Sequence, residues 1–303
     1  MFAQILFRYR EKHQLTQDQL AHKLASKFDE FDKLDCVTFS RWENGRTKPS
    51  LKKIFLLLSE IGHAEDYFNY LLVSKKEYKY PILDKLLDVN YNKHVNYRTN
   101  QYLNISSFDV SDIEIVFCDF INLPEKIKKM ILSSDLANID KYDMYNFNCV
   151  YLHCNNVVLG YSIFHNIFFA QSRCKQYWDM YEEFDMSNGF VHFRQLALTK
   201  DVWSILFLCH YVYLLKNINH YENTYSLNFE NNFYSLFVKL GAQTDTRFDF
   251  IHNSGKHNYV LMSMNIIDFL SNKNILGFAL DTYRMLHDKN SNMLNDILQS
   301  IRG

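Results

Sequence analysis

Residues 37–50, which read VTFSRWENGRTKPS, constrain the fold of this chain more than any other stretch. Phe39 and Trp42 lie three residues apart, so in a helix both side chains would share one buried face. The Asn-Gly at 44–45 predicts the end of this helix, and the Pro-Ser at 49–50 predicts the start of the next. A short helix anchored by two aromatic side chains, with small and basic groups pointing outward, suits a DNA groove.

The residues before this stretch predict two helices that support it. Apolar residues between 2 and 9 recur at helical spacing, and the charged side chains fall mostly on the other side. Thr16 can cap a second helix while Gln19 reaches back to it, which is the capping-box pattern. Asp35 is the expected N-cap of the helix that follows. The later spacing predicts a helix over residues 51–61 that Gly62 ends, and a fifth helix over residues 67–72.

These motifs, in this order, resemble those of the phage-repressor-like (Xre-type) helix-turn-helix domain. The matching segments are LTQDQLAHKL at 15–24, TFSRWENGR at 38–46 and Pro-Ser at 49–50, within the first 72 residues. In that family the domain controls transcription from specific DNA sites, often as a dimer on a two-fold operator. The resemblance therefore implies double-stranded DNA as a partner and a homodimer as the assembly.

The resemblance also assigns DNA contacts to single residues. Gln17, at the start of the second helix, would contact a phosphate. Arg41 is the best candidate for a bidentate contact with guanine. The alternative for Arg41 and Arg46 is an ordinary solvated face, which the surrounding motif disfavours. The remaining base-reading positions are Cys36, Val37 and Ser40, and backbone contacts are expected from Asn44, Arg46 and Lys48.

The turn between the second and third helices departs from the family pattern. The family usually has a single glycine between the positions that match Leu24 and Leu34, whereas residues 25–33 lie between them here and include Asp29, Glu30 and Asp32. One interpretation is a tolerated loop or a lengthened second helix. The other is altered docking or a contact surface for a partner. Because carboxylates repel phosphates, we expect this acidic turn to point away from DNA.

Composition limits the other possible functions. The net charge is −1, so DNA affinity must come from local basic residues and not from the chain as a whole. The six cysteines show no C-x-x-C spacing, which is typical of reduced thiols in a cytosolic protein. Cys149, His153 and Cys154 could be imagined as metal ligands, but no second ligand pair follows and no metal is predicted.

The chain carries no sign of secretion or of membrane insertion. Its first residues lack the basic-then-apolar pattern of a signal peptide. The longest apolar run, residues 204–215, is broken by His210 and is too short to span a bilayer. We therefore expect a soluble cytoplasmic protein without a membrane partner.

From residue 107 the pattern changes to mixed strands and helices. Residues 74–106 lack a clear period and are predicted to be a linker with one short helix over 82–87. Asn155 and Asn156, between the runs VYLHC at 150–154 and VVLGYSIF at 157–164, predict a tight hairpin. The predicted elements are strands at 113–117, 150–154, 157–164, 190–198, 224–227, 247–251 and 259–264, a second turn at 253–256, and helices at 123–132, 202–215, 229–240, 269–286 and 293–301.

This element order resembles the GNAT acyltransferase fold, including its acyl-homoserine-lactone-synthase-like branch, over residues 107–266. Two catalytic features of that family are missing. The segment 198–206, where a glycine-rich loop would bind coenzyme A, has no glycine. The family's general-acid tyrosine, four residues before Gly241, is replaced by Phe237. Tyr234, one turn earlier, is either a substitute acid or an ordinary packed tyrosine.

Other polar residues of this half remain open at the level of sequence. His153, His165 and His192 have no carboxylate partner that the sequence identifies. Arg194 and Gln195 either line a ligand cleft or stand among inward-packed neighbours. We therefore predict no catalytic residues and no cofactor, and treat enzyme activity as undecided but disfavoured.

The sequence thus predicts a multidomain protein. An all-α helix-turn-helix domain covers residues 1–73, a linker covers 74–106, and an α/β GNAT-like domain with extra C-terminal helices covers 107–303. Those last helices either pack on the sheet or form a dimer seam. The expected function is sequence-specific transcription regulation, with a second domain that senses a small acyl ligand, dimerises or binds a protein partner. The alternatives are a DNA-tethered acyl-CoA-dependent N-acyltransferase and an antitoxin-like interaction protein.

Overall fold

A computed structural model describes residues 1–74, 77–93, 108–132, 148–166, 189–229, 232–252 and 255–300. The first 74 residues form a bundle of helices, as predicted. Their apolar faces meet in one core, to which Leu6, Leu20, Phe39 and Leu57 contribute fully buried side chains. The helices are α1 (Phe2–Lys12), α2 (Gln17–Lys27), α3 (Cys36–Glu43), α4 (Leu51–Ile61) and α5 (Ala64–Val73).

The predicted caps of this bundle are confirmed, whereas the fifth helix starts at Ala64 and not at residue 67. The Gln19 backbone N–H donates to Thr16 Oγ1 at 3.1 Å and the Thr16 N–H donates to Gln19 Oε1 at 2.8 Å, so the capping box is complete. Asp35 caps α3 by accepting a hydrogen bond from the Thr38 N–H at 2.6 Å. Gly45 and Gly62 follow α3 and α4 with φ of +68° and +72°, a conformation that glycine adopts at little cost.

Residues 77–93 contain a longer helix than the sequence predicted. Helix α6 (Pro81–Lys93) extends past the short helix expected over 82–87. Leu83 and Leu87 are fully buried, since α6 packs against three helices of the sheet half. The boundaries proposed at residues 73 and 106 remain predictions.

The second half is built on a mixed sheet in the predicted element order. Its described strands form a seven-stranded sheet in the order β1-β2-β3-β4-β5-β7-β6. Neighbours are antiparallel except for β4 and β5, which run parallel. The strands are β1 (Glu114–Asp119), β2 (Asn148–Cys154), β3 (Val157–Asn166), β4 (Gly189–Ala197), β5 (Asn223–Phe229), β6 (Gln243–His252) and β7 (Gly255–Asn265).

The first hairpin follows the prediction closely. Asn155 and Asn156 join β2 to β3 with φ of +49° and +65°, which is the left-handed pair that a two-residue hairpin turn requires. The second predicted turn, at 253–256, falls partly on residues 253–254, which lie outside the described residues. Its flanking strands β6 and β7 pair antiparallel as expected.

The helices of the sheet half differ from the prediction at their ends. The helix expected over 269–286 is split at Asn272, whose side chain accepts a hydrogen bond from the Asn274 N–H at 2.9 Å and so starts a new helix. The helix expected from 229 starts at Asn232, because β5 runs to Phe229. The described helices are α7 (Glu125–Leu132), α8 (Lys200–Lys216), α9 (Asn232–Lys239), α10 (Ile266–Ser271), α11 (Lys273–Lys289) and α12 (Ser291–Ser300).

The helical bundle packs directly against the sheet half. Helix α4 lies against α10, and α5 lies against α8 and α11. The rings of Phe68 and Tyr211 approach to 5.4 Å between centroids, and Asn219 Nδ2 donates to the Ser59 carbonyl at 3.0 Å. One apolar core therefore runs from the bundle into the sheet half.

Candidate functional sites

Helix α3 presents its side chains in the predicted way. Phe39 and Trp42 are buried in the bundle. Cys36 and Arg41 are exposed, and Val37 keeps 54% of its surface accessible although it is apolar. The outward face of α3 is thus free to contact another molecule, while the two aromatic side chains hold the helix in place.

A buried ionic network joins α3 to the two helices before it. Arg10 Nε donates to Glu43 Oε1 at 2.8 Å, and the Gln17 side-chain amide donates to the other carboxylate oxygen of Glu43. The hydrogen bond to Glu43 raises the pKa of Arg10 in spite of its burial. Removing either partner should destabilise the bundle, because it would leave the other charge partly buried and uncompensated. Neither Arg10 nor Glu43 was predicted from the sequence, although Glu43 directly follows the buried Trp42.

The other predicted DNA contacts lie around the end of α3. Asn44 Nδ2 donates to the Ser40 carbonyl at 2.8 Å and to Ser40 Oγ at 3.2 Å, so these two polar side chains are tied to each other. Arg46 and Lys48 are exposed in the turn that follows. We call the three exposed side chains of Arg41, Arg46 and Lys48 the basic patch of the bundle.

The extended turn packs on the bundle and does not stand apart from it. Phe31, in a 3-10 turn over Asp29–Phe31, is only 1% exposed, and its ring lies 6.3 Å from that of Trp42 in an edge-on arrangement. Glu30 Oε1 lies 3.0 Å from Lys52 Nζ on α4. The hydrogen bond from Lys52 holds the pKa of Glu30 below its usual range. The inserted residues therefore support α3 from behind.

In the sheet half, β4 and β5 stop pairing after His192 and Ser226, before the chain enters helices α8 and α9. Their parallel pairing covers Gly189–His192 with Asn223–Ser226, and no further register joins the described parts of the two strands. The crevice outside the carboxyl ends of parallel strands is where α/β proteins usually bind ligands. Thr199 caps α8 by accepting from the Val202 N–H at 3.2 Å.

The start of α8 is closely packed and has no glycine-rich loop that could bind coenzyme A. A Cβ placed on Gly160 of β3 would lie 2.5 Å from Val202 Cγ1, so Val202 rests directly on that glycine. Trp203 is buried, stacked on Phe207 at 5.1 Å and edge-on to Phe278 at 5.5 Å. The segment that would carry a glycine-rich loop is thus part of the core.

Lys200, the first residue of α8, is bound by two carboxylates from α6. Its Nζ lies 2.7 Å from Asp84 Oδ1 and 2.7 Å from Asp88 Oδ1. Burial alone would lower the pKa of Lys200, but the hydrogen bonds to Asp84 and Asp88 raise it above its ordinary value. These partners are remote in sequence, so no local pattern in the sequence indicated the triad.

The structure gives partners for two of the polar residues left open by sequence. Tyr234 Oη lies 3.3 Å from Thr244 Oγ1, which is a side-chain hydrogen bond to the neighbouring strand. His153 Nε2 lies 3.6 Å from Glu114 Oε2 across the β1–β2 register. Gln195 has a buried Nε2 with no hydrogen-bond partner among the described residues. The side chains of His165, His192 and Arg194 lie outside the described ones.

Metal-binding clusters and membrane-spanning helices are both lacking in the part of the chain that the structure describes. Within it, no group of three or more His, Cys, Asp or Glu side chains is arranged to hold a metal ion. Of the helices in these segments, none combines the length and the apolar character needed to cross a bilayer.

The described residues form two parts, a helical bundle and a seven-stranded mixed sheet with its helices, which pack against each other. No model of a known protein family matches the sequence, and no curated protein matches it. Several solved structures of acetyltransferases are similar to part of the chain.

We report three of these structures, each of which matches about half of the chain. The ribosomal-protein-S18-alanine N-acetyltransferase from Escherichia coli is 12% identical, with a TM-score of 0.33, over 51% of this chain and 94% of that one. An acetyltransferase from Bacillus subtilis in complex with CoA is 10% identical, with a TM-score of 0.34, over 50% and 98%. The ribosomal-protein-S5-alanine acetyltransferase from Vibrio fischeri is 9% identical, with a TM-score of 0.34, over 52% and 95%. At these identities and scores, the similarity carries no argument about activity.

Proposed function

We propose that this chain is a sequence-specific DNA-binding transcription regulator whose helical bundle reads DNA with α3. The single observation that supports it best is the contrast along α3. Phe39 and Trp42 are buried, whereas Val37 and Arg41 project from the surface. A recognition helix needs this division, because it must be fixed by its inner face while its outer face enters the major groove.

The charges around α3 support the same proposal. The basic patch of Arg41, Arg46 and Lys48 is exposed, and Arg41 is the only long base-reading side chain among the predicted positions. Val37 and Cys36 would then contact thymine methyl groups or respond to DNA shape. Gln17 donates to Glu43 through one amide hydrogen, which leaves its second hydrogen for a phosphate. Since the net charge is −1, binding should be modest and should fall steeply with salt.

The proposal includes a homodimer acting in the cytoplasm. A single bundle with one strong base-reading side chain would bind weakly, so two copies on a two-fold operator would supply the missing affinity and specificity. The sheet half would hold the pair together, sense a small acyl ligand or bind a protein partner.

The experiment that tests DNA binding has two stages. Bound sites are mapped across the genome by chromatin immunoprecipitation, and the recovered sequence is then titrated with purified protein at several salt concentrations. We expect a recurrent site with two-fold symmetry, and an affinity that falls with a log–log slope of about −0.9 for each phosphate neutralised. Equal affinity for the recovered site and for scrambled DNA of the same composition would refute sequence-specific reading.

The second candidate function is acyl-CoA-dependent N-acyl transfer by the sheet half. The observation that favours it is the topology, in which parallel β4 and β5 stop pairing before the chain enters α8 and α9. Against it stand the missing glycines and Phe237 in place of tyrosine. Tyr234, bonded to Thr244, is the nearest candidate for a general acid.

An assay for the release of free CoA, run beside calorimetric binding measurements, separates the two candidates. The full-length protein is titrated with acetyl-CoA and with longer acyl-CoAs, and DNA binding is measured on the same preparation. The regulator without enzyme activity predicts DNA binding and no release of free CoA from acetyl-CoA in the presence of amine substrates. Steady release of CoA that Tyr234→Phe abolishes would instead establish the transferase.

A further inference from the structure

Helix α6 contacts both helices that follow the parallel strands β4 and β5. It packs against α8 and α9, the two helices that start at the carboxyl ends of these strands, and also against α11. The side chains of Leu83 and Leu87, on the inner face of α6, are fully buried. A segment of the same chain is therefore placed beside the carboxyl ends of the parallel strands, where α/β proteins commonly bind ligands in a crevice.

The polar contacts of α6 are made at the point where an anionic ligand would be expected. Lys200 opens α8, and the N-terminus of a helix attracts anions through its free N–H groups and its dipole. Asp84 and Asp88 each place an oxygen 2.7 Å from Lys200 Nζ. The two carboxylates thus supply negative charge to a position that would otherwise attract a phosphate.

A close approach seats the residues before α6 on α11. A Cβ built on Gly277 of α11 would lie 2.7 Å from Tyr78 Cβ and 2.8 Å from the Tyr78 carbonyl oxygen. Such distances are shorter than real contacts allow, so any larger residue at Gly277 would push this segment outward. Tyr80 adds an edge-on contact with Phe278 at 5.4 Å between ring centroids.

We propose that α6 is an internal cover of this crevice, held shut by the pairing of Lys200 with Asp84 and Asp88 and by the seat of Tyr78 on Gly277. Occupation of the crevice by an anionic, phosphate-bearing ligand and seating of α6 then exclude each other. Because α6 follows the helical bundle in the chain, opening the cover would also release the segment that leads from the bundle into the sheet half.

The proposal is tested by amide hydrogen exchange of the full chain with mass spectrometry. The variant Asp84→Asn/Asp88→Asn removes both carboxylates, and Asp288→Asn/Asp296→Asn removes two exposed carboxylates from α11 and α12 as a matched control. Local opening sets the exchange rate of a protected segment. Losing two partly exposed ion pairs should speed exchange of residues 81–93 by roughly two- to thirtyfold, with α8 and α11 unchanged. The control should match the wild type.

Gly277→Ala tests the same cover from the opposite side. Its added methyl group should loosen residues 77–93 while the sheet keeps its protection. Unchanged exchange of residues 81–93 in both the Asp84/Asp88 variant and Gly277→Ala would overturn the proposal. A uniform acceleration across α6, α8 and α11 would overturn it as well, because α6 would then be an inseparable part of the core.

Coenzyme A serves as an anionic probe in a second arm, which rests on the acyltransferase candidate. We expect CoA to bind the Asp84→Asn/Asp88→Asn variant more tightly than the wild type by about the factor by which exchange of residues 81–93 speeds up, roughly two- to thirtyfold. Equal affinity for both would show that α6 does not guard the crevice. Binding to neither counts against the acyltransferase candidate alone, and the exchange measurement then decides the cover by itself.

Discussion

Lys52 on α4 places its Nζ 2.9 Å from Asp268 Oδ1 on α10, so one ammonium group links the helical bundle to the sheet half. The same Nζ lies 3.0 Å from Glu30 Oε1 in the inserted turn before α3. The hydrogen bond to Asp268 raises the pKa of Lys52, in spite of partial burial. The turn that supports α3 is thereby connected to the second half through a single side chain.

A double-mutant cycle should measure this link. Lys52→Met, Asp268→Asn and the double variant are unfolded with urea, and we expect a coupling free energy of about 0.2–1 kcal/mol, since the pair is partly exposed. The coupling should shrink in 1 M salt, where the screening length falls to about 3 Å. Strictly additive effects at low salt would mean that the ion pair contributes nothing to the interface.

Phe31→Ala tests the role of the inserted turn. Removing this buried ring should lower the free energy of unfolding by about 3–5 kcal/mol, because the cavity would open beneath Trp42. Phe7→Ala is the matched control, since Phe7 on α1 is 50% exposed and should cost less than about 1 kcal/mol. Similar losses from both substitutions would mean that the turn is a passive loop and not a support for α3.

Arg41→Ala tests the assignment of the base-reading side chain. Affinity for the mapped site should fall by about 1–3 kcal/mol and selectivity at one base pair should relax, because a bidentate guanine contact is lost. Lys129→Ala removes one exposed positive charge from α7 in the sheet half and should leave affinity unchanged. Gel-shift titrations on the native and point-substituted sites measure both the affinity and the selectivity at that base pair. If Arg41→Ala binds as tightly as Lys129→Ala, α3 is not the reading helix.

Glu60 should make the bundle sensitive to acid. Its side chain is 9% exposed and is paired with Lys23 at 2.9 Å and with Lys27. Burial alone would raise the pKa of Glu60, but the hydrogen bonds from Lys27 and Lys23 lower it. A lowered folded-state pKa means that the stabilisation is complete above the unfolded value of about 4.3 and is lost as the pH falls through the folded one.

The measurement compares the free energy of unfolding of the wild type and Glu60→Gln between pH 7 and pH 3. We expect the difference to be largest at neutral pH and to shrink as the pH drops below about 4.3. Lys23→Met should reduce that difference at neutral pH, since it removes one of the two partners. A difference that stays constant with pH would show that the charge of Glu60 does not stabilise the bundle.

Local signals in the sequence predicted the element order well. Helix caps such as Thr16 and Asp35, and the Asn155–Asn156 turn, depend on hydrogen bonds between residues close in the chain. Phe39 and Trp42 lie three residues apart, so their position on one buried face also follows from a single helix. These features could be read without a tertiary structure because each involves only a few neighbouring residues.

The helix–turn–helix-start pattern of residues 37–50 was therefore determined by the sequence alone, together with the outward position of Arg41. Tertiary structure decided which distant residues meet: Arg10 with Glu43, Phe31 with Trp42, and Lys200 with Asp84 of α6. These contacts join residues far apart in the chain, and the charge and size of each residue fit many possible partners. Only the packing of one element on another selects a single partner.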